Sequence, residues 1–220
     1  MKGQIFTIIS LLAVMAYFVP LLIVLVKRLW GITAFILFAL YWLIGGIVNV
    51  VDHIPGVDIA FRATLGAFYN MIDIPIILAI FYFTSGSDRI RQFAKYTCLS
   101  FLLIEMVNAY FKGVNYEAIK YVLGLGVLLV LIIVIWEIIF YLKKMEHTAK
   151  EKAMMCIYSA LLFEYGTYII IYIFDYYIKG SDANDNLLIY YISSLIAIVI
   201  ASYGLMIRQR KSGFTRFYKY

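Results

Sequence analysis

Seven apolar stretches, closed off by charged or turn-forming residues, occupy positions 5–26, 30–51, 59–83, 96–111, 118–142, 153–178 and 187–207 of the chain. A bilayer's hydrocarbon core is about 30 Å thick and takes roughly 20 helical residues to cross, so each stretch can span it, the fourth only barely. Hydrocarbon offers no water to backbone N–H and C=O groups, which leaves helices and closed barrels as the spanning structures. The runs are unbroken and lack the alternation of a barrel strand, so they are read as helices. The expected fold is all-α: a polytopic membrane protein with a seven-transmembrane-helix bundle at 1–207 and a basic cytoplasmic tail at 208–220.

Composition agrees. Hydrophobic residues make up 65% of the chain and charged residues 15%, against about 45–50% and about 25% in soluble proteins. A soluble sphere of this length has no room to hide so much apolar surface, which excludes a soluble enzyme or a disordered chain. Cys98 and Cys156 lie in or beside apolar runs without C-x-x-C spacing and are read as small buried hydrophobes. The stretch after Lys2 is too long for a signal peptide and is read as the first span.

The net charge of +6 is better explained by cytoplasmic loops beside an anionic leaflet than by nucleic acid, which is not an expected partner. With alternating spans, fourteen basic residues fall on one side, among them Lys27, Arg28, Arg89, Lys143, Lys150 and the tail. Five fall on the other: Lys2, Arg62, Lys112, Lys120 and Lys179. Basic residues collect on the cytoplasmic side, so the N-terminus is expected outside and the C-terminus inside, in a bacterial cytoplasmic (inner) membrane. Membrane lipids are the expected surroundings, with Trp30, Tyr96, Tyr110, Tyr141 and other span-end aromatics as interfacial anchors.

The polar residues left inside the spans carry the functional signal. An ionised carboxylate at mid-bilayer costs at least about 2.5–3.5 kcal/mol on insertion scales, so it needs a partner, a proton or a wet cavity. Glu137 and Asp175 stand near Lys143 and Lys179 and are expected to snorkel or pair at an interface. Asp73, Glu105 and Glu164 stand ~15, ~13 and ~16 Å from the cytoplasmic ends of their spans, a common depth. Three carboxyls at one depth cannot all face lipid, and they are expected to share one interior site.

Helical spacing supports that site. Arg62, Tyr69, Asn70 and Asp73 share one stripe of the third span, Glu105 and Asn108 one of the fourth, and Glu164 and Tyr168 one of the sixth. Tyr41 and Tyr165 also fall at mid-span and either line a cavity or fill helix contacts. No basic side chain matches the acids in depth, so at least one carboxyl is expected to carry a proton, unless a cation is bound. Asp52, His53, Asp58 and Arg62 cluster around the Pro55-Gly56 turn as an outer mouth or a solvated loop. The candidate binding residues are therefore Asp73, Glu105, Glu164, Asn70, Asn108, Tyr69 and Tyr168; no catalytic residue is assigned, and a metal is left open.

Several chemistries lack their parts. Only two histidines occur, both between spans, so a zinc hydrolase set is missing, and Ser193, Ser194 and Ser202 have no base at their depth. The last span contains no Lys, so covalent retinal is not expected, and no other cofactor is. Two readings fit the seam: binding or translocation of a proton, cation or small cationic solute, and a receptor-like sensor or assembly subunit for a lipid or apolar ligand, passing its signal to a cytoplasmic protein partner. A third makes the acids general acid/base catalysts on a lipid.

Overall fold

The computed structural model describes residues 2–176 and 183–207. The tail at 208–220, with Lys179 and Asp182, lies outside the described residues, as do the side chains of Asp175 and Glu117. Among the described residues eight α-helices follow in order: α1 (Lys2–Ala16), α2 (Val19–Val26), α3 (Thr33–His53), α4 (Ile59–Thr84), α5 (Asp88–Lys112), α6 (Tyr116–Leu142), α7 (Ala149–Tyr176) and α8 (Ala183–Met206). No strand occurs among the described residues. Among the described residues six segments are long and apolar enough to cross a membrane, the first being α1 and α2 together and the others in α3, α4, α6, α7 and α8.

Local chemistry sets the helix ends. Asp58 caps α4 by accepting from the Phe61 N–H at 3.4 Å, and Asn115 caps α6 by accepting from the Ala118 N–H at 2.9 Å. At the start of α7 the Thr148 hydroxyl accepts from the Glu151 N–H at 3.2 Å while the Glu151 carboxylate accepts from the Thr148 N–H at 2.8 Å, a reciprocal capping box. Gly113 ends α5 at φ +77°, where a Cβ would be strained.

Prolines act in two ways. Pro20 divides the first apolar stretch: α1 stops at Ala16 and α2 restarts at Val19, with the proline in its first turn. A proline ring clashes with the carbonyl four residues back, here Ala16, and donates no N–H, but it fits a helix start. The break lets Tyr17 turn into the core, where it is 2% exposed. Pro75, by contrast, sits inside α4 without dividing it, and its carbonyl accepts from the Cys98 thiol at 3.5 Å. Both cysteines are free and partly buried.

The helices form a closed ring. Each of α3 to α8 packs on its neighbour in sequence, and α8 returns to α1 and α2, with α4 also meeting α6 across the interior. The α7–α8 contact is the most extensive. At Gly204 an added Cβ would stand 2.8 Å from the Ala153 carbonyl oxygen and 2.6 Å from the Cys156 Cβ, so only hydrogen fits there. The outer face is apolar, with Leu11, Leu103, Met106, Leu128, Ile170 and Val199 exposed, as suits contact with lipid.

Gly204→Val is expected to push α8 off the α7 backbone and destabilise the protein by about 1–3 kcal/mol, read as a lower melting temperature in detergent. Gly166 meets nothing within 4 Å. Gly166→Ala is therefore expected to melt with the parent.

Candidate functional site

Between α3, α4, α7 and α8 lies a cavity of about 50 Å³. It holds two carboxyls, Asp73 from α4 and Glu164 from α7, beside Tyr69, Asn70, Tyr168 and Tyr190. No Lys, Arg or His lines it. At roughly 10–15 Å³ per water, it has room for a few waters or one small cation. It is too small for an elongated apolar ligand.

Two chains of donors converge on this space. The Tyr165 hydroxyl donates to Asp73 Oδ2 at 2.7 Å, and Tyr165 in turn lies 2.9 Å from the Tyr41 hydroxyl. A phenol carries one proton, so with Tyr165 spending its own on Asp73 the bond from Tyr41 runs toward Tyr165. The second chain begins at Asn49, which bonds the Gly45 carbonyl at 2.8 Å and reaches the Tyr190 hydroxyl at 3.5 Å. Tyr190 meets Tyr17 at 3.0 Å, and Tyr17 donates to Ser194 at 2.9 Å. Trp42 Nε1 donates to Glu164 Oε2 at 3.2 Å.

One acceptor is left over. Asp73 Oδ1 is buried and has no hydrogen-bond partner. A buried carboxylate oxygen without a donor costs more than the bonds around it return, so this atom calls for a proton, a water or a cation. Gly45 makes room nearby: the Tyr69 hydroxyl stands 2.8 Å from where a Cβ would be, and Tyr69 turns toward the same carboxyl.

The other expected residues lie in different places. Glu105 is buried at 6% exposure and within electrostatic range of Asp73, but α5 packs against α4 and α6, and Glu105 does not line the cavity. Asn108 donates to the Ala118 carbonyl at 2.8 Å, tying α5 to the start of α6. At the outer turn, Arg62 donates to the carbonyls of Asp52 at 2.9 Å and Ile54 at 2.6 Å, His53 Nδ1 meets the Asn49 carbonyl at 2.9 Å, and Asp58 caps α4. These four residues hold the loop to the helix ends. Glu137 does not snorkel: it is 3% exposed, because the end of α4 and the start of α7 close over it.

Sequence reasoning did not single out Tyr17, Trp42, Tyr190 or Ser194 for the site. Tyr17 precedes Pro20 by three positions, and Tyr190 and Ser194 share a face of α8 at four-residue spacing, so a signal was present. No group of three or more His, Cys, Asp or Glu suited to a metal occurs among the described residues. The donor set fits a proton or a weakly bound small cation better than a transition metal.

No known family model, curated protein or solved structure matches the chain.

Tyr165→Phe removes the donor to Asp73 and breaks the bridge between α7 and α4. Stability is expected to fall by about 1 kcal/mol, measured by unfolding in mixed micelles. Tyr203 is 67% exposed, and Tyr203→Phe is expected to leave stability unchanged.

Proposed function

We propose that this integral membrane protein binds a proton or small cation at Asp73 and Glu164 and passes it across the bilayer. The observation that carries the reading is the central cavity: two carboxyls, one oxygen without a donor, a ring of hydroxyls and no basic side chain. Positive charge is what the space lacks. A carboxyl that exchanges a proton with waters in a small cavity, and is oriented by a tyrosine that can donate to it, has the parts of a relay station. The cavity's size argues against the lipid-sensor reading; Ser193 and Ser194 line it without a His or Lys base beside them, and no metal-ligand group occurs among the described residues, which leaves lipid chemistry without support.

The proposal includes seven crossings. Helix α5, at 25 residues, is long enough, though more polar than the other six. Its buried positions Ile90, Ala94, Phe101 and Glu105 fall on one face, and its exposed positions Leu99, Leu103, Met106 and Tyr110 on the opposite one. An outward apolar stripe of that kind suits lipid. Seven crossings put Lys27, Arg28, Lys143 and Lys144 at one end, which is taken as cytoplasmic, in keeping with a bacterial cytoplasmic membrane. The tail, with its aromatic and basic residues, suits an anionic leaflet or a cytoplasmic partner.

In proteoliposomes with a pH-sensitive dye inside, the parent is expected to carry protons or a small monovalent cation down an imposed gradient. Asp73→Asn and Glu164→Gln keep the side-chain shapes and are expected to lower that flux at least about tenfold, while remaining monodisperse. Parent flux no greater than that of empty liposomes, for protons and for sodium, potassium and methylammonium alike, contradicts the reading.

A further inference from the structure

A second cavity, of about 240 Å³, opens at the basic end of the bundle between the end of α4, the last turns of α6 and the start of α7. It is distinct from the central one, and nothing in the central cavity's role bears on it. Along α7, Tyr158 of this cavity precedes Glu164 by six residues, or ~9 Å of helix rise. Between the two spaces Phe38, Phe81 and Tyr158 meet one another at ring separations of 6.1, 6.3 and 5.8 Å. This apolar layer separates two polar chambers.

The inner part of the second cavity is Glu137. Its side chain is 97% removed from solvent by burial, at 3% exposure, yet its Oε1 has no hydrogen-bond partner. The walls include three aromatic rings, Phe140, Tyr141 and Tyr158, and Lys150 stands exposed at the mouth. Lys144 is already committed: it pairs with Glu151 at 2.5 Å and lies 5.3 Å from the Phe140 ring centre, so it does not supply the missing donor to Glu137. The charged lining groups are Glu137, Lys144, Lys150 and Glu151, which sum to zero, so an occupant of zero net charge leaves the cavity balanced.

Each element of the lining selects a part of that occupant. A buried carboxyl oxygen without a donor calls for a proton, a water or a cationic donor, and among organic cations a primary ammonium has the N–H to give it while a quaternary ammonium has none. Aromatic faces favour the cation electrostatically. A lysine at the rim favours an anion a few bonds away from the ammonium. We infer that this cavity is a binding site for a zwitterion that joins a primary ammonium to a phosphodiester, with the ammonium on Glu137 and the phosphodiester on Lys150. The same group occurs in soluble glycerophosphoethanolamine and as the headgroup of an ethanolamine phospholipid.

The test uses the full chain purified in detergent, titrated calorimetrically with glycerophosphoethanolamine and with glycerophosphocholine, and in parallel reconstituted in nanodiscs of phosphatidylethanolamine or phosphatidylcholine. Saturable binding of glycerophosphoethanolamine over glycerophosphocholine is expected, weakened at least about tenfold by Glu137→Gln. Lys150 is exposed, so Lys150→Ala preserves the fold; it is expected to weaken glycerophosphoethanolamine while leaving plain ethanolamine unchanged. Glu164→Gln is expected to bind as the parent does, which keeps this result separate from any failure of the central cavity to conduct. If the soluble compound does not bind but ethanolamine-lipid nanodiscs raise the melting temperature of the parent and not of Glu137→Gln, the occupant is the lipid headgroup. Absence of both effects, equal preference for the choline compounds, or binding indifferent to Glu137→Gln overturns the assignment.

Discussion

A carboxyl placed in hydrocarbon must be given a donor by its neighbours, and in this bundle that demand decides which faces of α3, α4 and α7 turn inward. Three bonds across the interior serve the carboxyls: Tyr41 to Tyr165, Tyr165 to Asp73 and Trp42 to Glu164. All three join helices distant in sequence. Rotating α4 by a residue would point Asp73 at lipid and strand the Tyr165 hydroxyl as well, so the polar bonds select one packing among many that bury similar apolar area. The small residues support them. Gly45 makes room for Tyr69 and Gly204 lets α8 lie against α7, which brings Ser194 within reach of Tyr17.

Much of this was legible in the sequence, for reasons that also mark where legibility stopped. Helix rise is regular, so the depths of Asp73 and Glu164 follow from counting residues, and the structure brings both to one cavity. Depth is not direction across the bundle. Glu105 stands at the same height, but α5 lies between α4 and α6, a fact of packing that no spacing encodes. Asn108 shares its stripe and ends on the Ala118 carbonyl. Glu137 was expected at an interface from its distance to Lys143, whereas the residues covering it come from α4 and α7, far away in the chain. At Pro20 the missing donor was readable, but a full break also depends on Tyr17 finding Tyr190 and Ser194 inside.

The three-ring layer of Phe38, Phe81 and Tyr158 gives the two cavities different company. On one side, hydroxyls and amides surround Asp73 and Glu164 with no cation. On the other, Glu137 shares its space with lysines at the basic end of the molecule. Tyrosine serves both: its ring packs as a hydrophobe while its hydroxyl bonds, which is how a chain with 20 Tyr builds polar chambers inside an apolar bundle.

The account rests on the claim that the space beside Asp73 is a wet, acceptor-rich site that holds positive charge. An experimental density map of the protein in lipid nanodiscs, at a resolution that shows ordered water, tests it most directly. The account predicts water or cation density within hydrogen-bonding distance of Asp73 Oδ1, lost or displaced in Asp73→Asn. A dry cavity, with both carboxyls bonded only to protein groups in parent and variant alike, would contradict it.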